Sequence, residues 1–339
     1  MPAPDPRANP TLLGHHDAQA TLAAAIASAR MHHAWLITGP DGIGKATLAY
    51  RFARRLLARR TGLASDQAPL ALDPADPVFR RVAGGSHADL LSIERGINER
   101  TKRMRTQIPV DDIRRVAGFL ALTPAEGGWR VVIIDGAEDL NTAAANALLK
   151  TLEEPPPRAV ILLTCSAPGR LPATIRSRCR RLRLGALDDA TMRALLTTYL
   201  PGMATDDRDR LVTLAEGSIG RALLMAEEEG LKIAALVDQV LTALPNIPPQ
   251  MPHAIADSLA RSDTGFATFM DLLAAGIAAA VREAARGHAD PDQVRLAELR
   301  PVAEWGAIWE RLGQIRDETE RFALDKRQAL VAGLGLLAG

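Results

Sequence analysis

Residues 34–47 of the chain read AWLITGPDGIGKAT. The run that ends at Thr38 is apolar and of strand length, and Gly39 closes it; a helical pattern then runs from Lys45 to Arg60. A strand, a glycine-rich turn and a helix in this order form a phosphate-binding loop (P-loop), because the glycines, the helix N-terminus and the lysine can all face phosphate oxygens. We therefore expect nucleotide phosphates to bind here, at Gly39, Gly42, Gly44, Lys45, Ala46 and Thr47.

One position of this loop departs from the usual pattern. An active P-loop places Ser or Thr directly after the lysine, where its hydroxyl holds Mg²⁺. Here that residue is Ala46, and Thr47 comes one place later, about 100° further round the helix. The sequence disfavours Mg²⁺ and leaves weak binding of ATP or ADP. A turn without any ligand is the alternative, and the matching strand and helix argue against it.

Two further strands are predicted at residues 131–135 and 159–165. The first ends on Asp135, the place from which an acid can hold a metal ion through water, and it is followed by Gly136, which has no base to offer. Glu138 and Asp139 lie on the following turn, and we interpret them as a solvated helix start. Helical patterns separate the strands, and this alternation predicts a parallel sheet with crossover helices.

The rest of the chain divides by composition. Residues 1–10 are rich in Pro and Ala and are expected to form a loose arm, and residues 61–92 are expected to form an irregular insert. After Gly185 the pattern is helical, and four prolines between Leu244 and Pro252 mark a boundary. We predict an α/β nucleotide-binding domain at residues 1–185, a small helical domain at 186–245 and an all-α domain at 246–339.

Bulk composition excludes several classes of protein. Hydrophobic residues make up 47% of the 339 and charged residues 24%, which excludes a mainly disordered chain. A formal net charge of +1 argues against binding nucleic acid or membrane through bulk charge. Two cysteines are too few for a disulfide framework, and neither a secretory signal nor a run of eighteen uncharged apolar residues is visible. The cytosol is the expected location.

Five arginines lie close together after the third predicted strand: Arg176, Arg178, Arg180, Arg181 and Arg183. The cluster alone allows three uses. It can be a solvated face, a contact with a phosphate backbone, or the source of an arginine finger. Lys102, Arg103 and Arg105 are further candidates for phosphate contact.

Several motifs together resemble the AAA+ clamp-loader subunits of bacterial DNA polymerase III. They are HAWLITG at 33–39, LLKTLEEPP at 148–156, LPATIRSRC at 171–179, GSIGR at 217–221 and LDKRQAL at 324–330. The resemblance covers most of the chain and is strongest over residues 12–60 and 108–185.

The resemblance implies an AAA+ domain, a small helical lid and a helical C-terminal collar for oligomerisation. It implies a five-subunit ring that also contains motor (gamma/tau) and delta subunits and that loads the sliding clamp onto primed DNA. This ring is a part of the polymerase (nucleotidyltransferase) holoenzyme. The resemblance implies no contact with a membrane. Arg178 would act in trans as a finger in the ATP site of the neighbouring motor subunit. The family's nucleotide-sensing arginine would be at position 220, where this chain has Gly220, and Arg221 comes one residue later.

Besides the shifted Arg221, two departures from the motor-subunit pattern bear on activity. Residues 61–107 contain no cysteine, so the family's four-cysteine zinc module is missing and no zinc is expected. Ala46 and Gly136 replace groups needed for hydrolysis, and the polar sensor on the third strand is either Cys165 or Ser166. We therefore favour an assembly subunit with negligible ATPase of its own. The alternatives are an active motor ATPase and a small-molecule kinase, the latter disfavoured because a long helical region without an acceptor site follows.

Overall fold

The computed structural model describes residues 4–28, 31–59, 68–97, 104–227, 229–260, 262 and 264–338. The chain divides into two compact units. One comprises Met1–Ala204 with Ala215–Leu223, and the other comprises Thr205–Leu214 with Leu224–Gly339. The division into three domains stays a prediction.

A parallel sheet forms the centre of the first unit. Among the described residues it has five strands, β1 (Ala34–Thr38), β2 (Leu90–Ile93), β3 (Arg130–Ile134), β4 (Ala159–Cys165) and β5 (Arg180–Arg183), in the spatial order β2-β3-β4-β1-β5. Every neighbouring pair is parallel. This order, with the P-loop after β1 and the acid after β3, is an AAA+ P-loop fold, as the sequence resemblance implied.

Helices cover both faces of the sheet. They are α1 (His16–Ala27), α2 (Lys45–Leu57), α3 (Pro77–Ala83), α4 (Val110–Ala121), α5 (Thr142–Glu153) and α6 (Ala173–Arg176), and α7 (Asp189–Tyr199) follows β5. Alternate strand residues enter two separate cores, with Trp35 and Ile37 on the side of α1 and α2, and Leu36 on the side of α4 and α5. Burial on both faces explains why the central strands read as continuous apolar runs.

Several elements of this unit were not predicted from the sequence, among them α3, β2 and β5. The segment 61–92 is not wholly irregular, since it contains α3 and β2. Asp76 caps α3 through its side chain, which accepts from the Val78 N–H at 2.8 Å, and Pro77 occupies the first turn. β5 was missed because three of its four residues are arginine. Both β2 and β5 are short edge strands, whose one-sided burial leaves little periodic signal.

The N-terminal arm is not loose over residues 4–10, contrary to the sequence interpretation. Two arginines on α2 hold its backbone. The Arg54 guanidinium donates to the carbonyl oxygens of Arg7 (2.9 Å) and Asn9 (2.7 Å), and Arg51 donates to that of Pro10. These contacts fix the arm beside the P-loop helix.

The remaining helices are α8 (Thr205–Ala215), α9 (Ile219–Glu227), α10 (Gly230–Ala243), α11 (Met251–Leu259), α12 (Gly265–Arg286), α13 (Pro291–Glu298), α14 (Val302–Phe322) and α15 (Lys326–Gly335). The described residues after β5 form no strand, as predicted.

Within the described part of the second unit, one helix is long and apolar enough to cross a membrane. It is α12, with a mean hydropathy of 1.4 over its most apolar stretch, of which 44% is buried inside the protein. Its large apolar side chains, among them Phe266, Phe269 and Leu273, are buried, and it packs against α10, α13 and α14. Length and composition alone are weak grounds for a membrane span, since the core helix of a soluble protein meets the same test.

Candidate nucleotide-phosphate site

The carboxyl ends of β1, β3 and β4 lie side by side and open into a cleft of about 500 Å³. Such crevices are the usual ligand sites of open α/β sheets. Polar and charged side chains line it: Asn9, Asp41, Lys45, Thr47, Glu94, Arg95, Asp135, Glu138, Asp139, Thr164, Ser166 and Tyr199. The P-loop and the acid after β3, far apart in sequence, are therefore brought together here.

Glycines give the P-loop its shape. Gly39, Gly42 and Gly44 have φ values of 153°, 71° and 102°, which side chains rarely tolerate. The segment 217–220 packs directly on the loop, so that a Cβ on Gly220 would lie 2.7 Å from Gly42 Cα. The Gly220 N–H donates to the Gly42 carbonyl oxygen at 2.9 Å. Two of the glycines thus serve a close approach of two backbones.

Lys45 lies at the first position of α2 with 7% of its side chain exposed. Its ammonium donates to the Pro40 carbonyl oxygen at 2.7 Å and lies 3.4 Å from Asp41 Oδ1. The lysine is therefore oriented into the loop, where a phosphate-binding lysine is required.

The residues after Lys45 fit magnesium poorly. Ala46 and Thr47 both line the cleft, but Ala46, at the position of the metal-holding hydroxyl, carries only a methyl group, and Thr47 comes one residue later. A hydroxyl suited to Mg²⁺ is expected at position 46. The donors on α2 therefore suit phosphate better than the metal.

Asp135 has a partner that the sequence reading missed. The Thr164 hydroxyl donates to Asp135 Oδ1, and the same oxygen of Thr164 accepts from the Gly136 N–H at 3.0 Å. The period of two along β4 could have revealed it, since Thr164 shares a side of the strand with Ser166. Thr164 fixes the carboxylate that would face the metal.

Glu138 and Asp139 are not a solvated turn. They lie in a short 3₁₀ turn, where Glu138 Oε1 accepts from the Ser166 N–H at 2.6 Å while Oε2 is buried without a hydrogen-bond partner among the described residues. Asp139 lies 3.1 Å from Arg95, and burial raises the pKa of its carboxyl against the opposing effect of that arginine. Two more carboxylates therefore face the cleft.

Cys165 and Ser166 face opposite sides of the sheet. Cys165 is buried in the core on the α5 side, where burial and, secondarily, Glu138 raise the pKa of its thiol to about 12. Ser166 lines the cleft, and its hydroxyl donates to Asp41 Oδ1. Of the two candidates for a polar sensor, Ser166 is the one beside the P-loop.

Arg221 does not reach the cleft described above. Its guanidinium lies 3.5 Å from Glu216 Oε2, whereas Ile219 and Gly220 of the same segment line the cleft. A role for Arg221 in sensing nucleotide stays a prediction.

The arginines after β4 do not form one cluster. Arg178 follows α6, and its guanidinium lies 2.7 Å from Glu153 Oε1 and donates to the Thr174 carbonyl oxygen at 2.9 Å.

Arg180 stacks on the Trp35 ring at 4.8 Å, and Arg181 and Arg183 are exposed on the edge strand β5. Arginines on an edge strand also discourage pairing with the strands of other chains. Arg105 pairs with Asp112 at 3.7 Å, and Lys102 and Arg103 lie outside the described residues.

The insert, which lacks the four cysteines of the family's zinc module, packs as an apolar segment over its described residues. Leu70, Val78 and Val82 enter the core beside α2, and the Phe79 ring lies 4.3 Å from the Arg54 guanidinium. Within the described ranges, no group of three His, Cys, Asp or Glu residues is placed to hold a metal ion. The expectation that zinc is absent stays a prediction.

The chain is similar to several bacterial replication proteins. It is 35% identical over 186 residues to DNA polymerase III subunit delta' of Pseudomonas aeruginosa, covering 55% of this chain and 53% of that protein. It is 32% identical over 221 residues to subunit tau of Escherichia coli, covering 64% of this chain and 32% of the relative. The chain thus spans about half of the first relative and a third of the second.

A solved structure of a DNA polymerase III gamma subunit-related protein from Thermotoga maritima is also similar. It has 19% sequence identity and a TM-score of 0.48, covering 95% of this chain and 98% of that chain.

A family model agrees with the sequence resemblance. Residues 14–188, just over half of the chain and the whole sheet, match the family described as DNA polymerase III, delta subunit. The chain belongs to this DNA polymerase III delta-subunit family.

Proposed function

We propose that this chain is a clamp-loader subunit of the delta' class, which helps to load the sliding clamp onto primed DNA. In this role it joins gamma/tau motor subunits and a delta subunit in a five-subunit ring and donates Arg178 to the ATP site of a neighbour. Its own P-loop binds ADP or ATP weakly, without Mg²⁺, and hydrolyses neither at a significant rate.

The observation that supports this proposal is that the cleft has groups suited to binding phosphate but lacks groups needed to hydrolyse ATP. Lys45 and Asp135 both line the cleft, yet Ala46 offers no metal ligand and Gly136 no base. A fold retained without its chemistry is better suited to assembly than to turnover. Arg178, at the other end of the segment after β4, is 35% exposed and free of the core.

Assembly tests the proposal directly. Mixed with the motor and delta subunits of its own cell, the chain should co-elute in one stoichiometric complex on size exclusion. A control mixture without the delta subunit shows whether the chain completes a ring or merely binds the motor. Separate elution of this chain from the motor subunits, at concentrations where the motor assembles with delta, would contradict the assignment.

We predict that the isolated chain releases phosphate from ATP no faster than its Lys45→Ala variant, because proton abstraction and metal binding both lack their groups. Steady-state phosphate release with Mg²⁺ present measures this.

One observation favours the runner-up, an active motor ATPase. Glu138 lines the same cleft as Lys45 and Asp135, so its carboxylate is the candidate for a displaced base. Phosphate release abolished by both Lys45→Ala and Glu138→Gln would establish that alternative.

A further inference from the structure

Three carbonyl oxygens of the P-loop accept hydrogen bonds from groups of this chain. Lys45 donates to the Pro40 carbonyl, the Ser218 hydroxyl donates to the Asp41 carbonyl at 2.8 Å, and the Gly220 N–H donates to the Gly42 carbonyl. In addition, the Asp41 carboxylate receives the Ser166 hydroxyl and lies 3.4 Å from the Lys45 ammonium.

These contacts give Asp41 the position of an anionic ligand. An oxygen with a negative charge, beside the P-loop lysine and a hydroxyl from the strand next to β1, is what a phosphate would present. The side chain is 92% exposed, so it lies in the open mouth of the cleft, where an incoming ligand must pass.

The charges around the cleft add to this effect. Its described lining holds five carboxylates against two cations: Asp41, Glu94, Asp135, Glu138 and Asp139 against Lys45 and Arg95. Without a magnesium ligand at position 46, a nucleotide would bring its phosphate charges into this field uncompensated. Of the five carboxylates, Asp41 is the one in contact with Lys45.

We propose that Asp41 sets the nucleotide affinity of this site, because its carboxylate competes with the phosphate oxygens of a nucleoside diphosphate for Lys45 and Ser166. The inference rests on the proposed weak binding of nucleotide at the P-loop. It makes the weakness a property of one exposed side chain rather than of a collapsed loop.

Neutralising this carboxylate is the test. Isothermal titration calorimetry with ADP, without Mg²⁺, should show about tenfold tighter binding to Asp41→Asn than to the original chain. The gain is modest because the Asp41 side chain is solvated. In water, the interaction energy of two charges about 4 Å apart is near the low end of its range. The gain should shrink as salt is raised, and Lys45→Ala added to Asp41→Asn should remove it.

Glu94→Gln is the matched control. It removes the same charge from the same cleft, but the Glu94 carboxylate contacts Arg7 rather than Lys45. We expect less than a twofold gain. Equal gains for both variants would mean that only the overall charge matters and would overturn the proposal. Equal affinity of Asp41→Asn and the original chain would do the same, as would the lack of measurable binding to either.

Ring assembly separates this inference from the proposed function. Size exclusion of Asp41→Asn with the motor and delta subunits should give the same complex as the original chain. Normal assembly without the affinity gain would overturn the role of Asp41 alone. Failure of both proteins to assemble would count against the clamp-loader assignment, whatever their affinity for ADP.

Discussion

Replacing Arg178 by alanine should slow hydrolysis at the neighbouring ATP site by about a thousandfold, the lower end of the effect of a trans-acting arginine finger. The guanidinium neutralises charge that develops on the transferred phosphoryl group, and a methyl group leaves that charge unmatched. Reconstituted rings with clamp and primed DNA, followed by single-turnover phosphate release and by clamp loading, give the measurement. We expect both rates to fall.

The contacts of Arg178 in the free subunit predict that its loss leaves the fold intact. Its partner Glu153 is about half exposed, and such ion pairs contribute about 0–1 kcal/mol to stability. The alanine variant should therefore assemble into rings normally. To reach a neighbour's phosphate, the guanidinium must exchange Glu153 for phosphate oxygens, which a surface pair of this strength permits.

Two variants separate a finger from a surface charge. Arg178→Lys keeps the charge but lacks the planar fork that pairs with two oxygens, so it should remain impaired. Arg181→Ala removes an exposed arginine of β5 and should load clamps at close to the original rate. Equal, small effects at both positions would indicate a solvated face, and an unchanged rate in Arg178→Ala would refute the finger.

The central fold could be predicted because its elements carry strong local signals. The bounds predicted for β1 and β4 are confirmed, since both strands are buried on two faces and read as unbroken apolar runs. The start of α2 at Lys45 followed from the glycines that precede it. The helical pattern after Gly185 is also visible in the sequence, and Asp188 caps α7 there by accepting from the Thr191 N–H at 2.8 Å.

The strand β5 shows the physical reason why some elements could not be predicted from the sequence. An edge strand is held by backbone bonds to one neighbour, here β1, and its side chains need not be apolar. A run such as Arg180–Arg183 therefore looks like a charged loop in the sequence. Only the pairing with β1, which is a long-range contact, makes it a strand.

The candidate site was predicted in part. The P-loop and Asp135 were found because each motif is continuous in sequence. The contacts of Thr164 with Asp135 and of Ser166 with Glu138 and Asp41 were not predicted, because the two partners of each contact lie 28 to 125 positions apart. Which hydroxyl meets which carboxylate depends on the packing of β4 between β1 and β3, and no local pattern encodes it.

The second large effect concerns a buried arginine of the same unit. Arg54→Ala should lower the free energy of unfolding by about 3 kcal/mol or more, because it leaves two carbonyl oxygens of the N-terminal arm without their donor and opens a cavity beneath Phe79. Arg54 is only 1% exposed. Burial, and then the nearby Arg51, lower the pKa of its guanidinium to about 10, which still leaves it charged at neutral pH. Urea unfolding followed by circular dichroism measures the loss.

Arg80→Ala is the matched control, since this arginine is exposed on α3 and should change stability by less than about 0.5 kcal/mol. Arg54→Lys should fall between the two, because one ammonium keeps the charge but cannot serve both carbonyls in the geometry of the fork. The arm gives a second, local readout. Release of the Arg7 and Asn9 carbonyls should speed tryptic cleavage after Arg7 in Arg54→Ala, while the Arg80 variant is cut at the original rate. Unfolding midpoints and cleavage rates that match in Arg54→Ala and Arg80→Ala would show that other contacts hold the arm.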